Sequence, residues 1–122
     1  MQQRLALART LALDPDVLLL DEPLGSLDEI TREQMRDELL QIWNMMGKGK
    51  KKTGLLVTHS VSEAVMLSDR VFVMSPHPGR ILGEIKINLP RPRQRPSRRS
   101  PVFLDAMDNI RTYLSENRML ED

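Results

Sequence analysis

The strongest constraint in the chain is the run Val17-Leu18-Leu19-Leu20, four branched aliphatics in succession, closed at once by Asp21-Glu22-Pro23. A short continuous apolar run predicts a strand buried on both faces, as in the parallel sheet of an α/β protein. Pro23 ends the pairing because it has no backbone donor. Asp21 and Glu22 then stand at the carboxyl end of the strand, where open α/β sheets place their ligands. On its own, an Asp-Glu pair in this position reads as a surface turn over a core strand. The next residues change that weighting: Leu24-Gly25-Ser26-Leu27-Asp28 comes directly after, and Thr58-His59 closes a second apolar strand, Leu55-Leu56-Val57.

The remaining segments alternate between helical and extended patterns. Residues 1–13 place Leu5, Ala8 and Ala12 at helical spacing, and Asp14-Pro15-Asp16 breaks that helix. Asp28 can cap a helix in which Ile30, Met35, Leu39, Ile42, Trp43 and Met46 recur mostly every three or four residues. A lone tryptophan in such a stripe reads as packing, not as a stacking surface. Gly47-Lys48-Gly49-Lys50-Lys51-Lys52 lacks the preceding strand and the full spacing of a phosphate loop, and reads as a solvated connection. Ser60-Val61-Ser62-Glu63 has capping-box spacing before a helix that carries Ala64, Val65 and Leu67.

Val71-Phe72-Val73-Met74 predicts a third buried strand, and the turn after it holds His77 between two prolines, exposed and not catalytic. Ile81, Ile85, Ile87 and Leu89 alternate as a half-buried strand would, with Gly83 as the site of a bulge. Repeated prolines from Pro90 to Pro96 among arginines predict an extended basic connector. Ser100 and Pro101 then open a last helix with Phe103, Met107, Ile110 and Leu114 on one face.

Composition narrows the classes. The chain has 122 residues, and 18 Lys and Arg against 17 Asp and Glu leave it nearly neutral, so an argument for nucleic acid or anionic membrane has to rest on local clusters. It has no cysteine, which removes disulfides and thiolate metal sites and directs any metal to oxygen ligands. No stretch approaches the roughly 20 apolar residues that cross a bilayer.

Together, Leu18 to Glu22, Asp28 and His59, in this order and spacing, resemble the ATP-binding subunits of ABC transporters. The resemblance implies an α/β, partial P-loop NTPase fold with a mostly parallel sheet, flanking helices and the Walker A half missing. No Gly-x-x-x-x-Gly-Lys-Ser/Thr loop occurs here, and residues 2–11 match the stretch directly after the family's signature. The resemblance also implies ATP and Mg²⁺ as cofactors. Asp21 would hold the Mg²⁺, through water, Glu22 would orient or deprotonate the attacking water, Asp28 would touch the partner subunit's nucleotide site, and His59 would contact the γ-phosphate. Residues 1–90 would be the carboxyl-terminal part of the ATPase domain, 91–99 a basic connector and 100–122 a carboxyl-terminal helix.

Met74-Ser75-Pro76-His77-Pro78-Gly79-Arg80-Ile81 and Leu89-Pro90-Arg91-Pro92-Arg93 look like the nitrate, sulfonate and taurine branch of ABC importers. The partners so implied are a second ATPase subunit, a membrane permease and, indirectly, a substrate-binding protein, with the chain on the cytoplasmic face of the inner membrane. Two rival functions remain at this point. One is an interaction module that uses the scaffold without hydrolysis. The other is a nucleic-acid-acting ABC-type ATPase, which the arginine run favours and the lack of interleaved aromatics disfavours.

Overall fold

The computed structural model describes residues 16–46, 52–76 and 79–121, together with Arg9 and Leu13. The expected amino-terminal helix (apart from those two positions), the lysine-rich connection over residues 47–51 and His77 lie outside the described residues. The chain forms two compact units, Met1–His59 and Ser60–Asp122.

In the first unit, β1 (Val17–Asp21) pairs in parallel with β2 (Thr53–Val57), and α1 (Glu29–Met46) lies between them in the chain. The register runs from Val17 opposite Thr53 to Asp21 opposite Val57. It is extended at each end by Thr53 N–H donating to the Asp16 carbonyl at 2.9 Å and Glu22 N–H donating to the Val57 carbonyl at 2.7 Å. Leu18 is buried and Leu20 and Leu56 are half-buried, as one face of a pleated ladder. The opposite face corrects the expectation of two-sided burial: Val17, Leu19, Leu55 and Val57 are 52–69% exposed. Two strands and one helix cannot cover both faces of a sheet. Along α1, Met35, Leu39 and Leu40 are buried and Trp43 is half-buried, whereas Ile30 is exposed and falls outside the stripe. Trp43 does pack: its ring lies against Gly54 of β2, only 3.1 Å from where a Cβ would stand.

The second unit contains α2 (Val61–Leu67), β3 (Arg70–Met74), β4 (Ile81–Lys86), a 3₁₀ turn (Arg95–Arg99) and α3 (Pro101–Glu121). Ser60 caps α2, its Oγ accepting from Glu63 N–H at 3.3 Å, and Ser100 caps α3 by accepting from Phe103 N–H at 3.2 Å. The strands pair antiparallel, with Val73 opposite Gly83 and Met74 opposite Ile81, so Leu82 is an extra residue beside Gly83. That irregularity explains why Ile85, Ile87 and Leu89 are buried while Ile81 is exposed. The Tyr113 ring occupies the space over Gly83 where any Cβ would stand. Along β3 only Val73 is buried, and Phe72 and Met74 are exposed, which again corrects a strand expected to be wholly interior.

The expected extended connector is instead folded back. Arg93 is 3% exposed, and its Nη1 donates to the carbonyls of Val65, Met66 and Ser68 at 3.1, 3.3 and 2.6 Å while its Nε donates to Leu89 at 3.0 Å. Arg91 donates from Nη2 to the Leu67 carbonyl at 2.8 Å and from Nε to Asp69 at 2.9 Å. The cause is the carboxyl end of α2, whose last carbonyls have no partner within the helix and are met here by two guanidinium forks. Burial pushes Arg93 down to about 10, Arg91 adds to the shift and Asp69 opposes it, so the guanidinium stays charged at neutral pH.

The class is α/β. A single mostly parallel sheet is not what the described strands form: they make one parallel ladder in the first unit and one antiparallel ladder in the second, of two strands each. Among the described residues no helix is long and apolar enough to cross a membrane.

Candidate functional site

Parallel pairing places the carboxyl ends of β1 and β2 side by side, so the residues that leave the two strands meet. Glu22 leaves β1 with its N–H bound to Val57 and its carbonyl accepting from Gly25 N–H at 3.2 Å. Its φ is 45°, in the left-handed region that costs a residue with a side chain and that clusters at functional sites. His59, just beyond β2, brings Nε2 to 2.7 Å from Glu22 Oε1, with the two side chains 94% and 44% exposed. So exposed a pair adds little stability. Chemically, a carboxylate hydrogen-bonded to an imidazole can orient water and exchange a proton with it.

Asp21 ends β1 on the same face as Val17 and Leu19, exposed, and its carboxylate has no hydrogen bond or ion pair among the described residues. Among those residues no three His, Asp or Glu side chains gather as a metal cage. A single open carboxylate does fit Mg²⁺, which commonly takes one or two protein carboxylates and fills its octahedron with phosphate and water oxygens.

Asp28 is engaged elsewhere. Its Oδ1 accepts from Thr31 N–H at 2.8 Å and its Oδ2 from the Thr31 hydroxyl at 2.9 Å, which makes it the cap of α1. The Thr31 amide, then the Thr31 hydroxyl, hold its carboxyl below the ordinary value of 3.8. The structure thus joins Glu22 to His59, leaves Asp21 exposed and without a partner among the described residues, and ties Asp28 to α1. Sequence reasoning passed over Arg32, whose guanidinium reaches back to the carbonyls of Leu24 and Leu27. A signal was there: a cation in the first turn of a helix faces the positive end of the dipole and calls for an acceptor.

The chain is 56% identical, over 80% of its length, to an uncharacterized ABC transporter ATP-binding protein of Methanocaldococcus jannaschii. The chain belongs to the ABC transporter ATP-binding proteins. It is also 46% identical, over 93% of its length, to the taurine import ATP-binding protein TauB of Pelagibacter ubique. To the aliphatic sulfonates import ATP-binding protein SsuB of Bacillus cereus it is 50% identical over 80% of its length. It spans 35%, 43% and 37% of these three relatives, so the family membership concerns a shared stretch well short of their whole length. No family model matches the chain.

Proposed function

We propose that the chain is the part of an ABC importer's ATP-binding subunit that carries the water-activating groups, in a protein energising uptake of a taurine-like, sulfonate or nitrate anion. One observation supports this above the others: the 2.7 Å contact between Glu22 and His59 at the common end of two parallel strands. Hydrolysis of a nucleotide needs a group to position water and donors around the phosphoryl oxygens. Glu22 orients the water and accepts its proton, and His59 donates from its imidazole toward the γ-phosphate. Asp21 would hold Mg²⁺, which when bound would supply positive charge to the phosphoryl oxygens. Asp28 closes the loop that reaches the second subunit's nucleotide site, acting through the loop's shape because its carboxylate is taken up by Thr31.

The 122 residues contain no phosphate-cradling Gly-x-x-x-x-Gly-Lys-Ser/Thr motif, so the cradle in this proposal comes from other residues of the subunit. In the complete P-loop NTPase fold of this proposal, β2 and β3 would each border a further strand, with residues 91–99 and 100–122 coming after the ATPase portion. The partners are a second such subunit, a membrane permease that holds the protein at the cytoplasmic face, and a substrate-binding protein beyond it. The test is uptake. Cells lacking their own system should regain ATP-dependent taurine or alkanesulfonate uptake from the intact subunit with its permease. Copurification with DNA or RNA in place of a permease would overturn the proposal.

A further inference from the structure

We propose that Arg32 is a positioning residue for the loop over residues 24–28 and, through that loop, for Glu22. The geometry stands by itself, and the consequence for turnover rests on the function proposed above. Arg32 lies in the first turn of α1 and folds back, Nε donating to the Leu24 carbonyl at 3.2 Å and Nη2 to the Leu27 carbonyl at 2.8 Å. Leu24 is fully buried, and the neighbouring Thr31 holds Asp28 by both carboxylate oxygens. One helical turn therefore grips the loop at residues 24, 27 and 28.

The loop's own backbone bonds run from Gly25 N–H to the Glu22 carbonyl at 3.2 Å and from Leu27 N–H to the Leu24 carbonyl at 3.4 Å, the second of them long. The Gly25 bond restrains Glu22 in its left-handed conformation. Releasing Leu24 and Leu27 weakens that restraint, lets the Glu22 backbone relax, and draws its carboxylate away from His59. Arg32 meets the two carbonyls with two different nitrogens of a planar fork, whereas lysine has all its donors on one nitrogen and matches that spacing less well.

The test is amide hydrogen exchange on the intact subunit and on its Arg32→Lys and Arg32→Gln variants. Exchange at Gly25 and Leu27 should quicken by about tenfold in Arg32→Lys and about a hundredfold in Arg32→Gln, with the amides of β1 and β2 unchanged. In the intact subunit, kcat for ATP should fall in the same order while KM stays constant, because Arg32 touches no substrate. Unaltered exchange at Gly25 and Leu27, or an equal increase across β1 and β2, overturns the positioning role. Local quickening without a fall in kcat overturns the link to Glu22. A parent subunit that turns over no ATP refutes the proposed function, and the exchange data still decide whether Arg32 holds the loop.

Discussion

His59 Nε2 sits 2.7 Å from Glu22 Oε1 because β1 and β2 are parallel and in the register that sets Asp21 opposite Val57. A slip of one residue would send alternate side chains to the other face and separate the pair. The contact is maintained at the expense of backbone strain, since Glu22 has φ 45° and is the one residue other than glycine with positive φ among those described.

That strain gives a stability prediction. Glu22→Gly should be more stable than Glu22→Ala by about 1 kcal/mol, because glycine enters the left-handed region freely and alanine does not. Thermal or urea denaturation of the two variants of the intact subunit measures the difference, and equal stability would mean that the backbone at residue 22 is unstrained.

Asp28 predicts a local pH response. Its carboxyl lies below 3.8 in the folded protein, so its contribution is complete above that value and is lost as pH falls through the lower, folded one. The Thr31 amide should therefore lose exchange protection in acid. Asp28→Asn should keep the cap and abolish the pH dependence, read by amide exchange at Thr31.

Arg93 predicts the largest effect in the second unit. Arg93→Ala removes the donor to three carbonyls at the end of α2 and to that of Leu89 and should cost about 2–5 kcal/mol. Arg91→Ala, which loses one carbonyl and an exposed partner, should cost less. Denaturant titration of the intact subunit ranks the two, and a cost below about 1 kcal/mol for Arg93→Ala would show that the guanidinium is dispensable.

How far these features can be read from sequence depends on how local their causes are. The end of β1 is legible because an apolar run, two acids and a proline act within one short stretch. The caps at Ser60 and Ser100 are legible for the same reason. The approach of His59 to Glu22 is only half legible: each residue visibly ends a strand, but their contact needs the parallel register. Arg93 is illegible, because three of its four acceptors, Val65, Met66 and Ser68, lie in or just after α2, far back in the chain, and nothing in a Pro-Arg run encodes a return to them. The aliphatics of β1 and β3 encode a demand for burial without encoding how many layers are present to meet it. Val17, Leu19, Phe72 and Met74 are accordingly exposed.

Those exposed faces and the unpaired edges of two-stranded sheets predict self-association. The purified 122-residue chain should aggregate and unfold without a sharp transition. Leu19→Lys with Leu55→Glu, neighbours across the exposed face, should reduce aggregation. Light scattering during a thermal ramp tests both statements, and a monomer with a cooperative transition would contradict the first.

The central claim is that Glu22, paired with His59, activates the water that cleaves ATP. Glu22→Gln keeps the size and hydrogen bonding of the side chain and removes the carboxylate. The decisive measurement is ATP turnover and ATP retention by the intact subunit carrying this one change. The predicted result is turnover reduced by about a hundredfold or more, with ATP still bound. Turnover at the parent rate would contradict the claim.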